Sequence, residues 1–161
     1  MKNTTNSTEF EFDLEPIVIK LMDDVEGEGW SFKYATNVEQ EYRRFLKLCR
    51  DYPDTGIVPS NVVDKMWHMH ILDTRKYLQD CEQYFGYFLH HFPYFGMRGE
   101  EDSQNLDKAW LETKTLYANH FHEKPDANFW QESVRCPSCG RRSTANATNE
   151  QRPSYASMGL N

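Results

Sequence analysis

The chain has 161 residues, a formal net charge of −7 and an aromatic content of 14%, enough for one domain with a single core. Its acidic balance repels phosphate groups, so we expect no nucleic-acid partner. No apolar run reaches the ~20 residues that span a bilayer, and the first residues lack the apolar stretch of a secretory signal. We therefore expect a cytoplasmic protein without membrane contact.

The first predicted element is a helix from Asp13 to about Val25. Asp13 is a suitable N-cap, and Pro16 is tolerated in the first helical turn. Ile17, Leu21 and Val25 recur at four-residue spacing and form one apolar stripe. The glycines that follow are expected to end this helix.

A second and a third helix are predicted from their caps. Thr36 and Glu39 form a capping box that opens the second helix, which ends before Pro53. Its apolar face consists of Val38, Tyr42, Phe45 and Cys49. Ser60 is expected to cap the third helix. The apolar residues of that helix are Val63, Met66 and Trp67.

Two further helices are predicted in the second half of the chain. Asp73 begins another capping pair, so the third helix should break near Leu72 and a fourth should continue to Gly86. The aromatic segment 87–102 is predicted to be a packed loop. Ser103 then opens a long last helix. The apolar face of this helix consists of Leu106, Trp110, Thr113 and Tyr117.

These elements predict an all-α fold, a single compact domain of about five helices with an aromatic core. The helical domain is expected to cover residues 13–130, after a flexible N-terminus over residues 1–12. Residues 131–161 hold the motif CPSCG and a tail rich in Ser, Thr, Asn, Ala and Pro. That tail has little to bury and is predicted to be disordered.

The six histidines fall into three close pairs. The pairs are His68 with His70, His90 with His91, and His120 with His122. Residues two apart on a helix point about 200° apart, so His68 and His70 cannot bind one ion unless the helix breaks between them. Helical spacing instead pairs Asp64 with His68, and His70 with Asp73. The second pair is favoured because His70 lies nearer the inward stripe.

A catalytic Zn²⁺ or Fe²⁺ site requires three protein ligands and an open position. We predict that His70, Asp73 and one of His90 and His91 supply them, with Asp73 as a ligand or as the group that orients His70. Alternatively, these side chains are structural, because a half-buried histidine is often hydrogen-bonded to an Asp cap. Further candidate ligands are His68, His120, His122 and Asp64. No spacing matches HExxH or another strong metal motif.

The motif CPSCG supplies Cys136 and Cys139, two ligands of a tetrahedral zinc knuckle. His120 and His122 are candidates for the missing ligands, and so are residues of a partner protein or a second copy of the chain. We therefore keep open a protein partner or a homodimer formed through the tail. The alternative is that the motif is an evolutionary remnant. The other two cysteines lie on predicted apolar faces and are expected to be core residues.

Three strings carry a family resemblance: YRRFLKLCRDYP, VPSNVVDKMWHMHILDTRKYLQDC and FGYFLHHFPYFGMRGEED. Through them, residues 36–122 resemble the bacterial branch of the glycine-rich domain-containing protein-like (GRDP-like) family. The resemblance implies a helical domain but no activity, and it does not extend to CPSCG. The chain has only 8 glycines and no glycine-rich segment. The positions that match the motif of that family are Trp67, His68, His70, Asp73, Tyr77, Asp80 and Cys81.

Together these patterns predict a small helical protein with a metal-binding pocket lined by WHMHILD and HHFPYF. If the protein is an enzyme, we expect metal-dependent chemistry. The alternative is a non-catalytic protein-interaction module in which the His and Asp side chains are structural and CPSCG forms a zinc knuckle.

Overall fold

The computed structural model describes residues 11–131, 141–143 and 150–160. These residues form five helices and two short strands. In chain order they are α1 (Glu15–Met22), α2 (Phe32–Asp51), α3 (Asn61–Leu72), α4 (Thr74–Tyr84), β1 (His91–Phe92), α5 (Glu100–Phe121) and β2 (Arg141–Arg142). The predicted all-α domain is confirmed. Over the described ranges, no helix combines the length and the apolar character needed to cross a membrane.

The core is built largely from aromatic rings, as predicted. Helix α3 packs against α1, α2 and α4, and the Trp67 ring lies 5.0 Å from that of Phe45. Trp110 of α5 stacks on Trp130 with a centroid distance of 5.7 Å. The indole N–H of Trp130 donates to the buried Glu41 carboxylate of α2 at 2.7 Å. Aromatic pairs of this kind each add about 0.5–1.5 kcal/mol beyond the burial of their area.

The caps around α3 and α4 confirm the predicted break between these helices. The Ser60 hydroxyl accepts a hydrogen bond from the amide of Val63 and caps α3. Helix α3 ends at Leu72, and the Asp73 carboxylate accepts from the amide of Lys76 and caps α4. One helix therefore ends and the next begins at Asp73, within the stretch WHMHILDTRKYLQDC.

Helix α1 is shorter than predicted and ends at Met22. The Asp23 carboxylate accepts hydrogen bonds from the amides of Val25 and Glu26, and this turn replaces the last helical turn. Val25 was placed on the apolar stripe but is 89% exposed. The prediction for Val25 is wrong because a side-chain-capped turn competes with continued helix.

Two helix starts also differ from the prediction. Helix α2 begins at Phe32, capped by Ser31, and Thr36 lies inside it with its hydroxyl bonded to main-chain carbonyls. Helix α5 begins at Glu100, directly after Gly99. Gly99 has a φ of 107°, a conformation that favours glycine. Both helices extend further towards the N-terminus than their capping patterns indicated.

Arg141 and Arg142, which directly follow CPSCG, pair with the helical domain. β2 is antiparallel to β1, with His91 opposite Arg142 and Phe92 opposite Arg141. The Arg142 side chain is buried against the end of α2 and donates to the carbonyl of Cys49. These strands have two residues each, which is too short to show an alternating pattern in the sequence.

Candidate metal centre

One group of side chains in the described residues has the arrangement of a metal site. The ligand atoms of Asp64, His68 and His91 all lie within 4.8 Å of one another. His91 Nε2 is 2.9 Å from His68 Nε2 and 2.8 Å from Asp64 Oδ1. Asp64 Oδ2 is 3.3 Å from His68 Nε2. Two imidazole nitrogens and one carboxylate therefore converge on a single point.

The secondary structure accounts for this convergence. Asp64 and His68 are four residues apart on α3 and so share one face of the helix. His91 reaches the same face from β1, after the chain has turned back at the end of α4. The side chain of Asp64 is 4% exposed, that of His91 9% and that of His68 49%. The group is thus closed by protein at Asp64 and His91 and open to solvent at His68.

The distances are close to those that a bound ion would impose. A tetrahedral Zn²⁺ with bonds of about 2.0–2.1 Å keeps its ligand atoms about 3.3–3.4 Å apart. Here the two Nε2 atoms are 2.9 Å apart, Asp64 Oδ1 is 2.8 Å from His91 Nε2, and Asp64 Oδ2 is 3.3 Å from His68 Nε2. Only small side-chain movements would therefore admit an ion.

Proton counting also favours a cation at this point. A neutral imidazole nitrogen is either a donor or an acceptor, and a carboxylate only accepts. A hydrogen bond between the two Nε2 atoms requires one of them to donate and the other to accept. The accepting nitrogen then has no proton to donate to the Asp64 carboxylate, which it also faces. A metal ion would satisfy all three groups, because each would direct a lone pair at it.

Buried aromatic residues support His91. Its ring lies 4.4 Å from the ring of Trp67. The indole N–H of Trp67 donates to the Tyr77 hydroxyl at 2.9 Å, and that hydroxyl donates to the carbonyl of Leu89. This chain of contacts holds the segment before β1 against α3 and α4, so it helps to fix the position of His91.

His70, the histidine favoured by the sequence, lies in a different environment. It is 1% exposed, with Nε2 2.8 Å from Asp80 Oδ2 and Nδ1 2.8 Å from the Tyr42 hydroxyl. Because the carboxylate can only accept, Nε2–H is the donor to Asp80, and Nδ1 accepts from Tyr42. Burial lowers the pKa of His70, although the hydrogen bond to Asp80 opposes that shift. Both nitrogens of the neutral ring are therefore engaged.

The structure does not bring together the predicted set of His70, Asp73 and His90 or His91. Asp73 is exposed and caps α4. His90 is exposed, and its ring packs on Phe88 at 4.7 Å. Of the predicted set, His91 alone belongs to the group whose ligand atoms converge, and this holds for the described residues. The capping role of Asp73 and the full hydrogen bonding of His70 are the physical reasons.

The remaining candidates lie elsewhere. His120 Nδ1 is 3.0 Å from the Tyr52 hydroxyl, and Nε2 is 3.4 Å from Asp51. His122 is exposed at the end of α5. Cys136 and Cys139 are outside the described residues, so the zinc-knuckle hypothesis stays a prediction.

The other two cysteines are buried, as expected for core residues. Burial raises the pKa of the Cys49 thiol to about 12, and nearby Arg142 opposes this only partly. Burial also raises the pKa of Cys81. Both thiols are therefore protonated at neutral pH and are poor nucleophiles.

Sequence reasoning named all three residues of the converging group but did not combine them. The four-residue spacing of Asp64 and His68 was a usable signal, whereas the approach of His91 depends on the turn after α4. The partners of His70 were missed altogether. Tyr42 lies 28 residues earlier in the chain, and no local pattern connects it to His70.

Fold and site together define a small all-α protein with a candidate metal centre of two histidines and one aspartate. A family model described as UCP032817-like matches residues 10–124, and the chain belongs to this family. The family description assigns no activity. All three residues of the candidate centre lie inside the matched range, and CPSCG lies outside it.

This family assignment corrects the resemblance to the glycine-rich domain-containing protein-like (GRDP-like) family, because nothing in the family comparison points to that family. Comparison with curated proteins found no significant match. Comparison with solved structures also found none.

Proposed function

We propose that the protein binds one divalent transition-metal ion, Zn²⁺ or Fe²⁺, through Asp64, His68 and His91. The observation that carries this proposal is the convergence of the three side chains, whose ligand atoms lie within 4.8 Å of one another. The two Nε2 atoms are 2.9 Å apart, and they face different oxygens of Asp64 at 2.8 and 3.3 Å. A set of two imidazoles and one carboxylate suits both ions. Three protein ligands leave at least one coordination position for water or a substrate.

The chemistry of such a centre follows from its open position. A metal ion there would act as a Lewis acid on a bound water or a substrate oxygen. Solvent access on the side of His68, whose side chain is 49% exposed, supports a position open to exchange. We therefore propose metal-dependent catalysis as the leading function. Asp64 and His91 would be the buried ligands, and His68 would be the solvent-exposed ligand.

The solvent exposure of His68 also favours a second candidate function. A ligand from a partner protein could complete the coordination on the side of His68, which would make the ion part of an interface. In that case the protein is a non-catalytic interaction module. Loss of metal would then abolish complex formation, with no reaction to measure.

The charge of the chain supports a proposal about its surroundings. With a net charge of −7, the protein should avoid nucleic acids and anionic membrane surfaces. We propose that it acts in the cytoplasm on a small molecule or a protein partner. A partner or a homodimer formed through the tail stays a prediction, because Cys136 and Cys139 are outside the described residues.

A metal titration tests the proposed centre. Untagged, metal-free protein is titrated with Zn²⁺ by calorimetry and with Co²⁺ by absorption spectroscopy. We expect one high-affinity equivalent and a cobalt spectrum typical of nitrogen and oxygen ligands. Asp64→Asn should lose this equivalent, because a neutral amide is a poor ligand for these ions.

Asp73→Asn is the matched control for that variant. Asp73 is exposed, and Asn is an equally good helix cap, so metal binding should be unchanged. If Asp64→Asn binds metal as tightly as the wild-type protein does, the proposed centre is wrong.

A further inference from the structure

Arg142 is a buried cation with an unusual set of partners. Its side chain is 1% exposed. It donates from Nη1 to the carbonyls of Cys49 and Tyr52, from Nη2 to the Tyr87 hydroxyl and from Nε to the carbonyl of Ser143. Cys49 and Tyr52 lie at the end of α2, where the helix dipole is negative. All these acceptors are neutral groups.

Among the described residues, only neutral groups and the negative end of the α2 dipole therefore face the charge of Arg142. No carboxylate lies within ion-pair distance of Arg142 in the ranges that the structure describes. A guanidinium has five N–H groups, and its bonds to described residues use four of them. Burying an unpaired charge costs several kcal/mol. An anion that reached the fifth N–H would offset part of that cost.

Arg142 also lines a cavity of about 290 Å³. Pro53, Tyr87 and Phe88 form apolar parts of its wall, and His90 contributes an imidazole. Asp54 also belongs to the lining and is exposed, so its charge is screened by solvent. The cavity is thus apolar on one side and holds a buried guanidinium. Its volume is near the lower limit for small-molecule sites, about 300 Å³.

We propose that this cavity binds a small monocarboxylate with an apolar body. The carboxylate would accept one charge-assisted hydrogen bond, from the remaining Nη2–H of Arg142. The apolar body would pack against Phe88 and Pro53.

This inference does not depend on the metal centre. Arg142 lies opposite His91 across the β1–β2 pair, but its hydrogen bonds run to α2, Tyr87 and Ser143. Carboxylates can also coordinate metal ions directly. The test must therefore separate binding in the cavity from binding to a metal.

The test compares benzoate with benzamide, which have the same shape but differ in charge. Binding is measured by calorimetry on metal-free wild-type protein and on Asp64→Asn, which lacks a proposed metal ligand. We expect benzoate to bind both proteins at millimolar concentrations or better, and benzamide to bind at least about tenfold more weakly. Equal binding of the two compounds, or binding of neither, overturns the proposal.

Variants localise the binding. Arg142→Gln should weaken benzoate binding about tenfold or more. Arg142 also caps α2, so circular dichroism must first show that this variant is folded. Phe88→Ala is the second variant, because Phe88 is partly exposed and its truncation should leave the fold intact. Unchanged benzoate affinity in folded Arg142→Gln, or in Phe88→Ala, also overturns the proposal.

Repeating the benzoate titration with and without metal separates the cavity site from the metal centre. If benzoate binds only when metal is present and fails to bind Asp64→Asn, the carboxylate occupies the metal centre. That result would support the centre and overturn the separate cavity site. If benzoate binds the metal-free protein while no metal binds at all, the cavity site stands and the metal centre is wrong.

Discussion

Two histidines on α3, only two residues apart, have opposite environments. His68 is half-exposed, and its Nε2 meets a second imidazole and a carboxylate at 2.9 and 3.3 Å. His70 is buried, and each of its nitrogens has its own complementary partner, Tyr42 or Asp80. A half-turn of helix thus separates a candidate metal ligand from a structural histidine.

This comparison shows what distinguishes a ligand from a packing residue. Both histidines lie near an aspartate, so proximity to a carboxylate does not separate them. His70 makes one donor and one acceptor bond, which a neutral ring satisfies completely. The Nε2 atoms of His68 and His91 both face the Asp64 carboxylate and also face each other at 2.9 Å. Two neutral rings cannot both donate to the carboxylate and also form a hydrogen bond between the same two nitrogens.

The largest expected effect comes from removing the buried ligand His91. His91→Ala should weaken Zn²⁺ binding by more than about 100-fold, the upper limit for losing an outer-shell partner. His68→Ala should have a smaller effect, because water can replace an exposed ligand. Competition with a chromophoric chelator measures both affinities.

His122→Asn is the control for these histidine variants. His122 is exposed and has a φ of 56°, and Asn tolerates this left-handed conformation. The affinity of the His122→Asn variant for Zn²⁺ should equal that of the wild-type protein. Equal affinities for His91→Ala and His122→Asn would remove His91 from the centre.

His70→Ala should act on stability and leave metal binding unchanged. The substitution leaves the Tyr42 hydroxyl and the Asp80 carboxylate without their buried partner, which costs about 1–3 kcal/mol. Urea unfolding of the metal-free protein measures the loss. If folded His70→Ala loses metal while its free energy of unfolding is unchanged, the roles assigned to His68 and His70 must be exchanged.

A smaller, pH-dependent effect is expected at Asp102 in the first turn of α5. Burial acts to raise the pKa of Asp102. Hydrogen bonds from the Arg98 side chain and from the amides of Gly96 and Arg98 outweigh that effect, so the pKa is lowered below 3.8. The folded protein therefore holds this proton less tightly than the unfolded chain does. The stabilisation is complete well above pH 3.8 and is lost as the pH falls through the lower, folded pKa.

Asp102→Asn tests this dependence. We expect a loss of about 1 kcal/mol in the free energy of unfolding at pH 7. The difference from the wild-type protein should shrink as the pH falls below 3.8 and through the lower pKa of the folded state, where the wild-type carboxylate also becomes protonated. A difference that is independent of pH would show that the ion pair with Arg98 does not stabilise the fold.

The smallest expected effect concerns the buried thiols. In the double variant Cys136→Ser/Cys139→Ser, only Cys49 and Cys81 remain, both buried with a raised pKa. No thiol should react with Ellman's reagent at pH 8 in the native state, and both should react in denaturant. Rapid reaction of a native thiol would contradict the assignment of these cysteines to the core.

The sequence predicted the parts of the molecule that local patterns determine. The break between α3 and α4 follows from Asp73, and the buried face of α2 follows from its helical spacing. The candidate centre needed a long-range contact, because His91 lies 27 residues from Asp64. Its approach depends on the turn after α4 and on the pairing of β1 with β2, and neither leaves a local signal.

The predicted ranking of the two Asp–His pairs was reversed for a physical reason. Inward orientation favoured His70, but an inward position also supplied it with two buried partners, Tyr42 and Asp80. A partly exposed site such as that of His68 keeps a coordination position open. Inward orientation alone therefore does not separate a candidate ligand from a structural histidine.

The most direct test of the metal centre is the metal content of the double variant Cys136→Ser/Cys139→Ser, with and without Asp64→Asn. Each protein is purified without a tag, reloaded with Zn²⁺, dialysed and measured by mass spectrometry. We predict about one equivalent of metal in the cysteine variant and none when Asp64 is also replaced. A cysteine variant that retains no metal would contradict a centre formed by Asp64, His68 and His91. If the wild-type protein retains metal under the same conditions, that result would place the ion at CPSCG.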